Sequence, residues 1–178
     1  MKKFSERQPR VLAIDPFVEG VGFTLFDGPL ILADWGLCNA KKDKNRVCAT
    51  KVDELIARYE PDILVMEDCE GKGSRRGKRV RRLLHTIGNR AKEQGLETRR
   101  YSRGQMLECF APFGLKTKFE IAKRFAVWFP DLELFLPKAT RNPWESEKPN
   151  MALFDAAALM VTYVNDIYPD TFPNTKPS

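Results

Sequence analysis

Histidine and paired cysteines are the scarcest features of this 178-residue chain. It contains one histidine, His85, and four cysteines, none of which belongs to a CxxC pair. A multi-histidine zinc site is therefore excluded, and the cysteine spacing argues against a zinc ribbon or a secreted disulfide framework. We expect reduced thiols, as in a cytoplasmic protein. Any catalysis must depend mainly on carboxylates, lysines and arginines.

Long apolar runs are also lacking. The longest weakly polar stretch, Ala156–Val164, is far shorter than the roughly 20 residues of a membrane-spanning helix. The apolar run after the basic start ends at Asp15, too early for a signal peptide. With 43% hydrophobic and 30% charged residues, the composition is that of a globular rather than a disordered protein. We expect no membrane partner, a basic arm over 1–10, a single domain over 11–166 and a flexible tail over 167–178.

Positive charge is concentrated in one part of the sequence. The net charge is +6, but residues 71–103 alone carry 12 Lys or Arg and two acids, which leaves −4 for the remainder. Such a basic segment favours nucleic acid as a partner over a solvated loop without a ligand. The candidate phosphate-binding residues are Lys72, Arg75, Arg76, Lys78, Arg79, Arg81, Arg82, Arg103 and Lys116.

Hydrophobic periodicity predicts an α/β fold. The predicted strands are Val11–Asp15, Val21–Asp27, Leu30–Cys38, Asp62–Asp68 and Thr98–Tyr101. The predicted helices are Lys51–Glu60, a segment over about 80–91, Lys116–Phe129 and Asn150–Tyr163. This order predicts a five-stranded mixed sheet, three antiparallel strands plus two parallel ones, with helices on both faces. A right-handed crossover would place strand four parallel beside strand one.

Two of these strands end in a carboxylate. Asp15 follows VLAI, and Glu67 follows ILVM. If the strands are parallel neighbours, both side chains lie at the edge where open α/β sheets bind ligands. Two carboxylates that close require a shared proton or a cation, and Mg²⁺ prefers such oxygen ligands. The alternative is that each acid simply ends its strand at the solvent boundary.

A third acid, Asp155, falls on the packing face of the last predicted helix. A charge at such a position needs a partner, which favours a metal ligand. Asp155 could instead cap the helix if the helix begins at Ala156. Asn150, just after Pro149, is an equally suitable cap.

The segments AIDP…GVGF, ILVMED and FDAAAL, with GLKTKFEIAKRF before the last helix, resemble the RuvC-type Holliday-junction resolvases of the RNase H-like superfamily. The resemblance extends from Val11 to Val164. It implies an RNase H-like fold and a homodimer that cleaves branched DNA with two Mg²⁺ or Mn²⁺ ions and no small-molecule cofactor. The implied metal ligands and catalytic residues are Asp15, Glu67 and Asp155. Lys118 is implied to lie near the scissile phosphate, with an exposed position in the first turn of its helix as the alternative.

The sequence departs from the family pattern in three places. Ala152 stands where a second aspartate is usual, and Glu145, Glu147 or Asp68 could substitute for it. Phe17 replaces a glycine, and no aromatic wedge residue follows the glutamate of strand four. The alternative function is therefore a non-catalytic RNase H-like nucleic-acid-binding protein with a degenerate metal site. A phosphotransfer ATPase is set aside, because glycine-rich phosphate loops and a second lobe are missing.

Overall fold

The computed structural model describes residues 8–71, 73–138, 142, 144–145, 147–169 and 171–172. The strands are β1 (Arg10–Phe17), β2 (Gly20–Asp27), β3 (Ile31–Asn39), β4 (Ile63–Glu67) and β5 (Glu97–Tyr101). The α-helices are α1 (Lys44–Tyr59), α2 (Lys78–Glu93), α3 (Arg103–Phe110), α4 (Lys118–Trp128) and α5 (Met151–Ile167). Short 3₁₀ helices cover Ala111–Phe113 and Pro130–Phe135.

The strands form one mixed sheet in the order β3-β2-β1-β4-β5. β1, β2 and β3 pair in antiparallel fashion, whereas β4 is parallel to both β1 and β5. The predicted five-stranded sheet is confirmed, including the parallel position of strand four beside strand one. β1 and β4 are therefore neighbours whose carboxyl ends meet at the same edge of the sheet.

Helices cover both faces of the sheet, as predicted. Val11 and Ala13 of β1 belong to a core cluster with residues of α4 and α5. Leu12 and Ile14, which alternate with them, pack in a second cluster with residues of α1 and α2. The apolar run of β1 thus supplies side chains to two cores, and α5 lies on the face opposite α1 and α2.

Some element boundaries differ from the predictions. α1 begins at Lys44, seven residues before the predicted Lys51, because polar residues occupy its first turn while Cys48 and Ala49 continue its buried stripe. α5 continues to Ile167, past the predicted end at Tyr163. Within the predicted flexible tail, Phe172 packs on Trp128 with 5.2 Å between the ring centroids.

Helix α3 is absent from the sequence-based prediction. Its amino terminus carries a capping box, in which the Ser102 hydroxyl accepts from the Gln105 amide and the Gln105 side chain accepts from the Ser102 amide. This S-x-x-Q pattern is a recognised helix-start signal. The helix could therefore have been predicted from its cap, although its eight residues show little hydrophobic periodicity.

Residues 1–7 of the predicted basic arm lie outside the described residues, as do Lys72 and residues 173–178 of the predicted tail. Arg10, the last residue assigned to the arm, already belongs to β1. Within the ranges that the structure describes, no helix combines the length and the apolar character needed to cross a membrane.

Candidate active site

Asp15 and Glu67 lie at the carboxyl ends of β1 and β4, as their sequence positions predict. Asp15 pairs with Gly22 of β2 in the sheet, and Glu67 is the last residue of β4. Both acids are buried, with exposed fractions of 3% and 4%. The idea that each acid merely ends a strand at the solvent boundary is therefore wrong.

The Arg76 guanidinium lies between these two carboxylates. Its Nη2 donates to Asp15 Oδ1, its Nε donates to Glu67 Oε2, and its Nη1 donates to the Pro16 carbonyl at 2.8 Å. Burial raises the pKa of Asp15, and the negative charge of Asp15 in turn raises the pKa of Arg76. A permanent cation thus compensates the pair of buried carboxylates, as their proximity requires.

Asp155 joins the site from α5. The helix begins at Met151, which places Asp155 beyond its first turn and rules out the N-cap alternative. Asn150 makes no side-chain cap either; its amide donates instead to the Phe135 carbonyl at 3.2 Å. Burial, together with the charge of Asp15, raises the pKa of Asp155 to about 7. A carboxylate with this pKa can hold or release a proton near neutral pH.

Lys118, the first residue of α4, is the partner of Asp155. Its Nζ donates to Asp155 Oδ2 at 2.6 Å, and its side chain is only 28% exposed. Burial alone would lower the pKa of Lys118, but the charges of Asp155 and Asp15 outweigh it and raise that pKa. Lys118 is therefore a charged residue of the site rather than an exposed helix residue.

Glu147 reaches the same lysine from the segment before α5. Lys118 Nζ donates to its two carboxylate oxygens at 3.0 and 3.2 Å. Of the three proposed substitutes for the missing aspartate, Glu145 instead accepts from Asn142, and Asp68 accepts from the Glu70 backbone amide. Glu147 is the one that shares a cation with Asp155.

Ala152 packs directly against β2. A side chain added at Gly22 would approach the Ala152 backbone and Cβ to 2.7 Å. Because Gly22 pairs with Asp15, Ala152 lies beside the first carboxylate. The position where the family pattern has a second aspartate is thus next to the site, but it carries only a methyl group.

Three of these acids line a cleft of about 590 Å³. Its walls include Asp15, Asp155, Glu147, Arg75 and Arg76. Acidic and basic side chains in one cleft are an arrangement suited to a cation and a phosphate group together.

The other predicted phosphate-binding residues fall into two groups. Some are tied to the protein: Arg79 Nη2 donates to the Phe17 carbonyl at 2.9 Å, and Arg81 Nη1 donates to Glu70 at 3.2 Å. Those with exposed side chains in the described chain are Arg75, Lys78, Arg82 and Lys116. Arg103 begins α3 and borders a small pocket that Lys118 and Asp155 also line.

The chain matches no family model and no curated protein. Its fold matches solved structures. Thermus thermophilus RuvC in complex with a Holliday junction substrate is 19% identical, with a TM-score of 0.63 over 92% of this chain and 98% of that one. The yeast mitochondrial Holliday junction resolvase is 13% identical, with a TM-score of 0.57 over 93% and 85%. The Fowlpox virus resolvase, in a complex with substrate Holliday junction DNA, is 12% identical, with a TM-score of 0.55 over 89% and 99%. The chain therefore has the RNase H-like α/β fold of RuvC-type resolvase structures, as its motifs predicted.

Proposed function

We propose that this protein is a metal-dependent endonuclease that hydrolyses phosphodiester bonds of branched, Holliday-junction-like DNA. The observation that carries the proposal is that Asp15 and Asp155 line one cleft with basic residues, while Arg76 joins Asp15 to the neighbouring Glu67. The structures of similar fold, two of which contain Holliday junction DNA, support the choice of branched DNA as substrate.

The donor set suits hard divalent cations. Asp15, Glu67 and Asp155 offer carboxylate oxygens, which Mg²⁺ and Mn²⁺ prefer. Arg76 and Lys118 already place positive charge among them, so the local chemistry favours cations. We propose that these three acids hold two such ions, which would activate a water molecule and stabilise the leaving 3′ oxygen.

Lys118 and Arg76 have roles of their own in this proposal. Lys118 keeps its proton at neutral pH because nearby carboxylates raise its pKa, so it can offset negative charge that develops on a phosphate. Arg76 is held only by groups that the ions would also engage, apart from the Pro16 carbonyl. If ions took over these carboxylates, its guanidinium would become available to a phosphate oxygen of a bound strand.

We propose Glu147 as the fourth carboxylate, in place of the aspartate that Ala152 lacks. Glu147 lies within hydrogen-bonding distance of Lys118, which also holds Asp155. Its negative charge contributes to the raised pKa values of both Asp15 and Asp155. It lines the same cleft as Asp15 and Asp155, which is where a fourth ligand is needed.

Glu147→Gln is expected to weaken Mg²⁺ binding by at least about 10- to 100-fold, because that is the cost of losing an outer partner of a metal site and Glu147 is proposed as a ligand. The Mg²⁺ concentration that gives half-maximal cleavage should rise accordingly. Glu145→Gln is the matched control, because Glu145 pairs with Asn142 outside the cluster. Equal Mg²⁺ requirements in the two variants would remove Glu147 from the ligand set.

DNA binding is proposed to involve the basic residues that the sequence analysis singles out. Phosphate contacts of this kind position a strand without reading its sequence. The residues proposed for this role are Lys72, Arg75, Arg76, Lys78, Arg79, Arg81, Arg82, Arg103 and Lys116. A homodimer, which the family resemblance implies, stays a prediction.

A cleavage assay tests the proposed function directly. Labelled four-way junction, flap, duplex and single-stranded DNA are incubated with the wild type and with Asp15→Asn, in Mg²⁺ or Mn²⁺. We expect metal-dependent cleavage with a preference for branched DNA, and its loss in the variant. Tight binding of junctions without cleavage in either metal would instead favour the non-catalytic binding protein.

A further inference from the structure

A second cluster of metal-binding side chains lies outside the carboxylate site. Cys69 and Glu70 follow β4, and His85 projects from α2. One ligand atom from each of the three lies within 4.8 Å of the other two. The fold therefore brings the chain's single histidine next to one of its four cysteines, although 16 positions separate them in the sequence.

Glu70 contacts both of the other side chains in this cluster, and its distance to the imidazole is long for a hydrogen bond. Glu70 Oε1 is 3.5 Å from His85 Nε2 and 3.7 Å from Cys69 Sγ. A good N–H···O bond has about 2.9 Å between its heavy atoms. Zinc bonds of about 2.0–2.3 Å arranged tetrahedrally separate neighbouring ligand atoms by roughly 3.3–3.6 Å. The two Glu70 distances are thus compatible with a zinc ligand set, and the ligand atoms of Cys69 and His85 lie within 4.8 Å of each other.

The orientation of Glu70 is fixed by a basic neighbour. Arg81 Nη1 donates to Glu70 Oε2 at 3.2 Å, and Arg81 Nε donates to the Arg76 carbonyl at 2.9 Å. One carboxylate oxygen is therefore held, while the other faces the thiol and the imidazole. Such an outer partner is what orients a ligating carboxylate in metal sites.

We propose that Cys69, Glu70 and His85 form a site for a borderline divalent cation, with Zn²⁺ as the best match. Sulfur and imidazole ligands select Zn²⁺ over Mg²⁺, whereas the all-oxygen set of Asp15, Glu67 and Asp155 has the opposite preference. Three protein ligands leave a fourth position for water. The ion would tie the segment after β4 to α2, and so fix the start of the basic segment that carries Arg76.

The test measures Zn²⁺ bound to the full-length protein, by competition with a chromophoric chelator in the presence of excess Mg²⁺. We expect one tight equivalent in the wild type and its loss, with at least a 100-fold weaker affinity, in Cys69→Ser and in His85→Gln. Cys38→Ser is the matched cysteine control and should retain the equivalent. Co²⁺ in place of Zn²⁺ should give a thiolate-to-metal charge-transfer band. This band should disappear in Cys69→Ser and remain in Cys38→Ser.

Three further features keep the test decisive. Because Cys69 is buried, Cys69→Ser could impair folding; Glu70 and His85 are exposed, so Glu70→Gln and His85→Gln carry the result in that case. Asp15→Asn should keep the Zn²⁺ equivalent while it loses cleavage, which separates this site from the proposed nuclease centre. An unchanged Zn²⁺ affinity in His85→Gln and Glu70→Gln, or no tight equivalent in the wild type, would overturn the proposal.

Discussion

Asp155→Asn is expected to abolish cleavage and, in the metal-free protein at pH 8, to raise the free energy of unfolding. The first effect follows from the loss of a carboxylate ligand, and should exceed the roughly 10- to 100-fold cost of losing an outer partner of a metal site. The second effect has an electrostatic cause: burial and the charge of Asp15 raise the pKa of Asp155 to about 7. Ionised Asp155 is therefore unfavourable in the fold even though Lys118 neighbours it.

The sign of the stability change follows from proton linkage. Between about pH 4 and pH 7 the folded state keeps a proton on Asp155 that the unfolded chain has released. Stability therefore falls as the pH rises through this range, and the whole penalty is present above pH 7. Asparagine resembles the protonated acid and does not titrate. It therefore avoids the free-energy cost of ionising the buried carboxylate, which is at most about 4 kcal/mol for a pKa raised by about three units.

Thermal unfolding of both proteins at pH 5 and pH 8, without divalent metal, measures this effect. The difference in stability in favour of Asp155→Asn should grow with pH, and Mg²⁺ at pH 8 should stabilise the wild type more than the variant. Asp131→Asn, at an exposed acid of the 3₁₀ segment, serves as the control and should show neither change. A variant that is less stable at both pH values would identify Asp155 as a structural partner of Lys118 rather than a strained ligand.

The sheet and its two acids could be predicted because local pattern and tertiary role agree there. β1 and β4 contain continuous apolar runs, as expected for strands buried on both faces, and each run is followed directly by the acid that reaches the site. β4 ends at this acid, whereas β1 continues to Phe17, past the predicted end at Asp15. Once β4 was placed parallel to β1, the meeting of Asp15 and Glu67 followed from geometry. Asp155 was found in the same way, as a charge on the apolar face of a helix.

The cations of the site are harder to predict from the sequence than its acids. Arg76 is one of seven basic residues between Lys72 and Arg82, and no spacing rule distinguishes it from its neighbours. Its role depends on how the segment after β4 crosses the edge of the sheet, which is tertiary information. The acid Glu147 could not be chosen over Glu145 or Asp68 for a similar reason, since a residue before a helix has no periodicity to indicate its direction. Sequence reasoning therefore located three carboxylates and, through the family resemblance, Lys118, but it did not predict that Arg76 would pair with Asp15 and Glu67.

The triad of Cys69, Glu70 and His85 was missed for a related reason. Sequence motifs for zinc sites rely on short spacings between paired ligands, and here one histidine pairs with one cysteine across an intervening segment. The cysteine spacing suggested reduced thiols, and a single histidine suggested no zinc site. Only the packing of α2 beside the end of β4 places the three ligand atoms together.

Arg76→Gln is expected to destabilise the metal-free protein and to increase its stabilisation by Mg²⁺. The substitution leaves Asp15 and Glu67 buried without their shared cation, and breaking a buried ion pair in this way costs about 3–5 kcal/mol. The loss should be larger at pH 8 than at pH 5, because protonation of a carboxylate relieves the repulsion at low pH. Mg²⁺ should restore much of the stability, since it supplies the missing charge and no longer competes with the guanidinium.

Arg75→Gln is the matched control, because Arg75 is the neighbouring basic residue and its side chain is exposed. Its melting temperature should stay close to that of the wild type, and Mg²⁺ should stabilise both proteins equally. Suppose that Arg76→Gln is less stable but that Mg²⁺ stabilises it no more than it stabilises the wild type. The guanidinium and the metal then do not compete for the same position, and Arg76 is a permanent structural cation. If both effects appear, Arg76 occupies the site in the absence of metal, and metal binding would release the guanidinium that holds Asp15 and Glu67 for contact with the DNA strand.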